Sequence, residues 1–382
     1  MAVTETTSKS WFDRIKDSIK GIVLGLIMIP LGIGLLFWNE GRTVKMKRDL
    51  NEGQSQVQTI NPETPPTNLP ENNIVHFSGK TVLNDSIIDP VFGVTVLGLH
   101  LERSVVMYQW VENVETKTEK KLGGSEETTK TYTYSKEWKS TLTNSSNFKE
   151  EGHNNPSSMP FKSEDFMTSS AQVGSIDLSS ETIGGISCYA DLNLRNISFQ
   201  DTAIKNLGHE LYIGQGTTTT PQIGDVRVAF RYVPATDVSI VSSLVNGTTA
   251  PYLASEGNPI LLTQCGNISS TAMFKTAQES NALMGWLLRL LGFILIFIGF
   301  RSIFKILSVL ADVVPFIGSL VGGGMSIIAF LLTSGISLIT ISIAWIFYRP
   351  ILGICLLLLG IGAAVAIFFF KKKNSEESGD LA

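Results

Sequence analysis

Residues 21–42 read GIVLGLIMIPLGIGLLFWNEGR, and the fold class turns on this stretch. Its first 18 residues, 21–38, are apolar, with Pro30 inside. At a helical rise of 1.5 Å per residue they cover about 27 Å, close to a hydrocarbon core of about 30 Å. Lys9, Arg14, Lys16 and Lys20 precede the run. A cleavable signal peptide ends in a small-x-small site, whereas bulky Phe37-Trp38 and then Asn39-Glu40 follow here. The run therefore reads as an uncleaved signal-anchor, with Trp38 at the interface.

Outward from this stretch, the remaining apolar residues collect near the C-terminal end. A second span covers 283–300 and contains Arg289 six residues in, near enough to the surface for its stem to snorkel. Residues 313–370 are almost wholly apolar and are split by Tyr348-Arg349-Pro350. Proline stops a helix and arginine marks an interface, so spans are expected at 325–347 and 351–370. Pro315 and Gly322-Gly323-Gly324 predict breaks in 301–324, whose first part, 301–310, has the pattern of an interfacial amphipathic helix. Lys371-Lys372-Lys373 closes the last run. Four spans leave the basic tails 1–20 and 371–382 on one side, which the positive-inside rule makes cytoplasmic. Residues 39–282 are then luminal, periplasmic or external.

Composition agrees. Of 382 residues, 43% are hydrophobic and only 17% are charged, against about 25% for a soluble domain. Residues 39–282 hold 19 Lys+Arg and 27 Asp+Glu, a net −8, and the remainder is +4. An acidic middle excludes the basic footprint of a nucleic-acid binder. Three cysteines exclude a disulfide-stapled scaffold.

The middle region reads mainly as strand. Residues 61–70 form a proline-rich linker. Residues 104–118 and 128–138, with Gly123-Gly124 between them, predict a long hairpin carrying Tyr108, Trp110, Tyr132, Tyr134 and Trp138. Val226, Val228, Phe230 and Tyr232 alternate with polar or small residues, a strand with one buried face. Residues 238–245 and 248–254 flank Asn246-Gly247, a second hairpin, with Pro251 marking an edge. Ser270 is a candidate helix cap. The fold class is a multi-pass α-helical membrane protein with four spans and a large, mainly β (α+β) extramembrane domain between spans 1 and 2.

Chemistry is sparse. His76, His100, His153 and His209 have no metal-ligand spacing, and no nucleophile elbow, P-loop or dinucleotide fingerprint is present. No cofactor or metal is implied. Cys188 and Cys265 are either disulfide-bonded or structural thiols, and Cys355 is a small apolar residue of a span. Sequons at Asn144, Asn196, Asn246 and Asn267 matter only in a eukaryotic secretory lumen. Glu40 and Arg42 pair with each other or with lipid headgroups in the simplest reading. The run Gly152-His153-Asn154-Asn155-Pro156 makes His153 a loop-fixing hydrogen-bonding residue.

Several motifs in order resemble the transmembrane protein 43 (LUMA) family. They are Asn39-Glu40-Gly41-Arg42, Met107-Tyr108-Gln109-Trp110-Val111-Glu112, and Tyr132 and Tyr134 ahead of Glu137-Trp138. Asn147-Phe148 before Gly152-His153-Asn154-Asn155-Pro156-Ser157 follows, then Gly224-Asp225-Val226-Arg227-Val228 with Phe230 and Tyr232, then Phe347-Tyr348-Arg349-Pro350. The resemblance runs from about Ile22 to Phe370 and is thin over 171–220. It implies four spans, a large luminal or external domain, self-association and the organising of membrane-protein complexes. It implies the endoplasmic reticulum and inner nuclear membrane, with lamins and emerin as partners, in a eukaryote, and the cell membrane in a bacterium. It supplies no catalytic residues.

The favoured reading is a non-enzymatic scaffold whose partners are the bilayer, itself and other membrane proteins. A membrane-anchored hydrolase with a site near His153 is the alternative. A transporter would place polar groups deep in several spans, and here only Arg289, Ser334, Ser337, Thr340 and Ser342 stand out. Small residues, Gly335 with Ser342 and Gly353 with Gly360 and Gly362, are expected to bring the last two spans against another copy.

Overall fold

The computed structural model describes residues 3–66, 73–199 and 201–351. The expected fourth span, 351–370, with Cys355, Gly353, Gly360, Gly362 and the triple lysine after it, therefore lies almost wholly outside the described residues, as do positions 67–70 of the proline-rich linker.

Among the described residues, three helices are long and apolar enough to cross a membrane: α1 (Trp11–Gln56), α3 (Ser270–Ala311) and α4 (Pro315–Tyr348). Between α1 and α3 lie all of the described strands but the first, and one short α-helix, α2 (Ser180–Gly185). The chain is an integral membrane protein of mixed helix and sheet. Ser10 opens α1 as a reciprocal cap, accepting from the Asp13 N–H at 3.2 Å and donating to the Asp13 carboxylate at 2.7 Å. Ser269, one residue before the expected cap, accepts from the Ala272 N–H at 3.4 Å. Residues 301–310 are not a separate interfacial helix, because α3 continues through them to Ala311. The break falls at 312–314. Pro315 then occupies the first turn of α4, where its missing N–H costs nothing, and Gly322-Gly323-Gly324 leave that helix unbroken.

The chain divides into two compact units. One, the sheet unit, holds 3–7, 49–118 and 128–278 and contains most of two large sheets; the other, the helical unit, holds 8–48, 119–127 and the described residues from 279 on. The larger sheet has eight strands, six of them in the order Val3–Lys9, Glu126–Lys139, Gly98–Lys120, Val226–Pro234, Leu211–Ile213 and Ile204–Asn206. The expected hairpin is its centre, and Gly123 and Gly124 turn it with positive φ of 86° and 81°. Val226, Val228 and Phe230 are buried as the alternation requires, packing with Val105, Met107 and Leu211.

The second sheet has seven strands. Its strands 237–245, 248–250, 176–177, 171–173 and 74–83 close into a ring, because 237–245 pairs with both 248–250 and 74–83. Such a central strand is covered on both faces, which explains its buried run from Val238 to Ser243. Asn246 (φ 52°) and Gly247 (φ 81°) make the tight turn that follows. Val75, Phe77, Val173, Val238 and Ile240 fill the core of this sheet. The two cysteines left open by the sequence are joined: Cys188 and Cys265 form a disulfide, with Cα atoms 6.2 Å apart. Closing that loop contributes roughly 4 kcal/mol in the chain-entropy account.

One element departs from the expectation of an independent N-terminal tail. Val3–Lys9 is a strand on the edge of the larger sheet, beside Glu126–Lys139. Its run of Val3, Thr4, Thr6 and Thr7 is rich in β-branched residues, which suits an extended edge. Glu5 fixes it, accepting from the Tyr132 hydroxyl at 2.8 Å and pairing with Lys149 at 3.2 Å. The Tyr132 hydrogen bond, then Lys149, hold the Glu5 carboxyl below its usual range. Carbodiimide treatment of the full chain in membranes is accordingly expected to join the peptides containing Glu5 and Lys149. If Glu137 joins Lys139, whose partners lie 2.9 Å apart, while Glu5 joins nothing, the edge strand is wrong.

Candidate functional site

The residues shared with the resembling family fall into two clusters, one in each unit. In the helical unit the cluster centres on Glu40. Its side chain is fully buried. One oxygen accepts from Arg289 Nε at 2.5 Å and the other from Arg289 Nη2 at 2.9 Å, a bidentate pair. The second oxygen also accepts from Trp345 Nε1 at 2.8 Å. One carboxylate on α1 thus holds both α3 and α4. Arg289 does not snorkel, as its position in the span suggested; its guanidinium is paired with Glu40 and lies 4.7 Å from the Trp286 ring centre. The physical reason is cost. An arginine within a span costs about 2.5–3.5 kcal/mol on insertion scales, and a buried carboxylate removes the need to reach water.

The neighbouring motif residues lock the same end of the bundle. Asn39 Nδ2 donates to the Gly285 carbonyl at 2.9 Å, and Asn281 Nδ2 donates to the Thr43 carbonyl at 3.0 Å. Gly41 lies against Tyr348, where a Cβ would be 2.6 Å from the ring. Tyr348 also packs on Phe37, with ring centres 5.6 Å apart, and its carbonyl accepts from Arg48 at 3.0 Å. The Arg349 N–H donates to the Trp345 carbonyl at 2.7 Å, which ends α4 just before Pro350. Arg42 does not pair with Glu40: its Nε and Nη2 are buried with no hydrogen-bond partner among the described residues.

Glycines let the helices come this close. A Cβ on Gly32 would lie 2.8 Å from the Gly292 carbonyl oxygen, and one on Gly25 would lie 2.5 Å from that of Gly299. These two pairs, seven residues apart on each helix, form a small-residue seam between α1 and α3. The sequence reading looked for such a seam only in the last two spans.

In the sheet unit the cluster lies on the long hairpin. Tyr108 packs on Trp138 with ring centres 5.1 Å apart, and the Arg227 guanidinium sits 4.3 Å from the Trp138 ring centre. Lys136 covers Trp110 at 4.6 Å. His153 stacks on Tyr134 at 4.0 Å and meets Trp110 edge-on at 4.5 Å. It fixes its loop by these ring contacts and not by the expected hydrogen bond, since its buried Nδ1 has no partner among the described residues. Asn155 does that work. It accepts from the Trp110 N–H at 2.7 Å and donates to the Trp110 and Thr143 carbonyls at 2.9 and 3.1 Å, so a side chain replaces a neighbouring strand.

Gly224 and Asp225 continue this cluster. Tyr108 N–H donates to the Asp225 carbonyl at 2.8 Å, Gly224 N–H donates to the Tyr108 carbonyl at 2.9 Å, and Pro156 packs over Gly224. The buried Asp225 carboxylate accepts from the Tyr212 hydroxyl and from the N–H groups of Gln215, Gly216 and Gln222. Burial, and then this hydrogen bond, push the Tyr212 phenol well above its ordinary value. The site residues that the sequence singled out are thus brought together, seven and seven. They do not surround an open cleft containing a free nucleophile: Cys188 is bonded to Cys265. Among the described residues no three His, Cys, Asp or Glu side chains gather as a metal site.

Two buried ionic centres escaped the sequence reading. Arg103 donates to Asp89 at 2.5 Å, Glu164 at 2.8 Å and the Lys162 carbonyl at 2.8 Å. Asp312, the only acidic residue between 280 and 375, pairs with Arg14 and with Lys120 at 2.8 Å. Its isolation in an apolar region was a usable signal.

The family model described as Transmembrane protein 43 matches residues 107–350. The chain is 32% identical over 362 residues to Transmembrane protein 43 of Mus musculus, covering 91% of this chain and 90% of the relative. It is 31% identical to the Homo sapiens protein of that name over 364 residues, with 91% and 90% covered. The Drosophila melanogaster homolog is 31% identical over 351 residues, with 88% and 91% covered. No solved structure matches significantly.

The glycine seam gives a paired test. Gly32→Val is expected to force α1 from α3 and cost about 1–3 kcal/mol, as overpacking does. Gly34→Ala, whose new Cβ meets no atom within 4 Å, is expected to be silent. Thermal unfolding of the purified chain in micelles reads both, and equal midpoints for the two variants would contradict the seam.

Proposed function

This chain belongs to the transmembrane protein 43 family, and from that premise we propose that it is a non-enzymatic membrane scaffold that self-associates and organises other membrane proteins. The observation that carries the reading is how the shared residues are used. Glu40 is taken up by Arg289 of α3 and Trp345 of α4, Asn39 donates to the Gly285 carbonyl, and the Tyr348 carbonyl accepts from Arg48, so these groups tie α1 to α3 and α4. Asp225 and Asn155 spend theirs on holding loops against the hairpin. Catalysis asks for groups poised toward a substrate, whereas these are consumed in architecture. The partly exposed face bearing Trp110, Lys136 and Trp138 offers aromatic and cationic contacts of the kind enriched at protein interfaces.

Self-association runs through α4 in this proposal. Gly335 opens onto free space, since a Cβ there would meet no atom within 4 Å, and exposed Leu331, Leu338 and Ile339 surround its level of the helix. A small residue in an apolar helix face permits close approach of a second helix in lipid. The disulfide suits an oxidising, non-cytoplasmic setting for Cys188 and Cys265.

In cells lacking the protein, His153→Gln is expected to restore function at normal abundance and to crosslink into the same oligomers as the unaltered chain. A general-base histidine would instead lose roughly 10²–10⁴-fold in rate. Loss of function at normal abundance, with oligomers intact, contradicts the scaffold reading, and an unaltered chain that crosslinks only as a monomer contradicts self-association.

A further inference from the structure

The helical unit contains a second polar feature, far along the chain from Glu40. A cavity of about 740 Å³ opens between α3 and α4 and is bounded on one side by Arg14 and by the hairpin tip. That volume is in the range that holds a small organic ligand. Its charges are unbalanced. Arg14, Lys120, Arg301 and Lys305 line it, against only Asp312 and Glu126. The two carboxylates are already engaged: Asp312 with Arg14 and Lys120, and Glu126 with Arg14 at 3.2 Å. No carboxylate among the described residues pairs with Arg301 or Lys305.

Those two cations sit four residues apart on α3, so they share one helix face, and like charges so placed repel by a few tenths of a kcal/mol. An anion between them turns that repulsion into attraction. The position also matters. Arg301 directly follows the uninterrupted apolar stretch 290–300, the level at which lipid phosphates meet a transmembrane helix. The remaining wall is amphipathic: Ser302 and Ser326 line it together with Ile298, Phe304 and Met325. Gly322 and Gly323 keep the α4 side empty.

We infer that this cavity binds the phosphate of an anionic glycerophospholipid, with Arg301 and Lys305 as the phosphate ligands and the apolar wall against its acyl chains. A free phosphate shares the anionic chemistry but would gain nothing from Ile298, Phe304 and Met325, which is why a lipid is the occupant. The site would tie the α3–α4 turn to anionic regions of a bilayer.

The test titrates the delipidated full-length chain in neutral micelles with dioctanoyl phosphatidylglycerol, dioctanoyl phosphatidylcholine and inorganic phosphate, with binding followed by calorimetry. Phosphatidylglycerol is expected to bind at least tenfold more tightly than either of the others. The double variant Arg301→Gln/Lys305→Gln is expected to weaken it about 25-fold, since each basic group near an anionic lipid contributes a factor of about five. Gly323→Phe fills the cavity from a position where a new Cβ meets no atom within 4 Å, and is expected to weaken phosphatidylglycerol at an unchanged thermal midpoint. Affinity unchanged in both variants overturns the site. Equal affinity for inorganic phosphate and phosphatidylglycerol overturns the lipid as its occupant.

Discussion

A charged carboxylate cannot sit bare among apolar helices, and the arrangement of the helical unit follows from how Glu40 is neutralised. Moving an unpaired ion out of water costs several kcal/mol even after relaxation. Glu40 avoids this by taking both donors of the Arg289 fork and the Trp345 indole N–H. The guanidinium fork is planar, so two parallel hydrogen bonds fix the rotation of α3 about its own axis as well as its distance from α1. With rotation fixed, Gly25 and Gly32 face Gly299 and Gly292, and Gly41 faces Tyr348. The polar pair chooses one packing, and the glycines allow it to be close.

The sheet unit uses the same device in a different solvent. Arg103 is as buried as a core residue and is neutralised by Asp89, whose other oxygen accepts from the Val91 and Phe92 N–H groups at 2.8 Å. Asp225 gathers a tyrosine hydroxyl and three backbone N–H groups from the loop that precedes it. Buried polar hubs of this kind are costly when incomplete and specifying when complete. A scaffold needs a surface held in one shape more than it needs mobile groups. The aromatic and cationic face on the hairpin is held by such hubs: Asn155 behind Trp110, and Asp225 beside Tyr108.

Much of the architecture was legible because it rests on local signals. Apolar runs of span length marked α1, α3 and α4; Gly123-Gly124 and Asn246-Gly247 marked turns that need positive φ; alternation marked the buried face of 226–234. What was not legible depends on partners distant in sequence. Arg289 read as a snorkelling residue because its cost is judged for an isolated helix, and its partner lies 249 residues away. The continuation of α3 past Arg301 was missed because a basic residue after an apolar run usually marks a helix end at the interface. Here Arg301 and Lys305 stay on the helix and line a cavity. His153 was read for its hydrogen bonds, whereas Tyr134 and Trp110 use the flat face and edge of its ring.

The account stands on the coupling between Glu40 and Arg289, which a double-mutant cycle measures directly. Glu40→Gln and Arg289→Gln would each be compared with the unaltered chain and with the double variant by equilibrium denaturation in micelles. Removing one partner of a buried pair costs about 3–5 kcal/mol because it strands the other charge, while removing both strands neither. The account predicts that the double variant is at least ~2 kcal/mol more stable than the sum of the single losses allows. Additive losses, with coupling below ~0.5 kcal/mol, would mean that the two groups do not meet and that something else sets the packing of the helices.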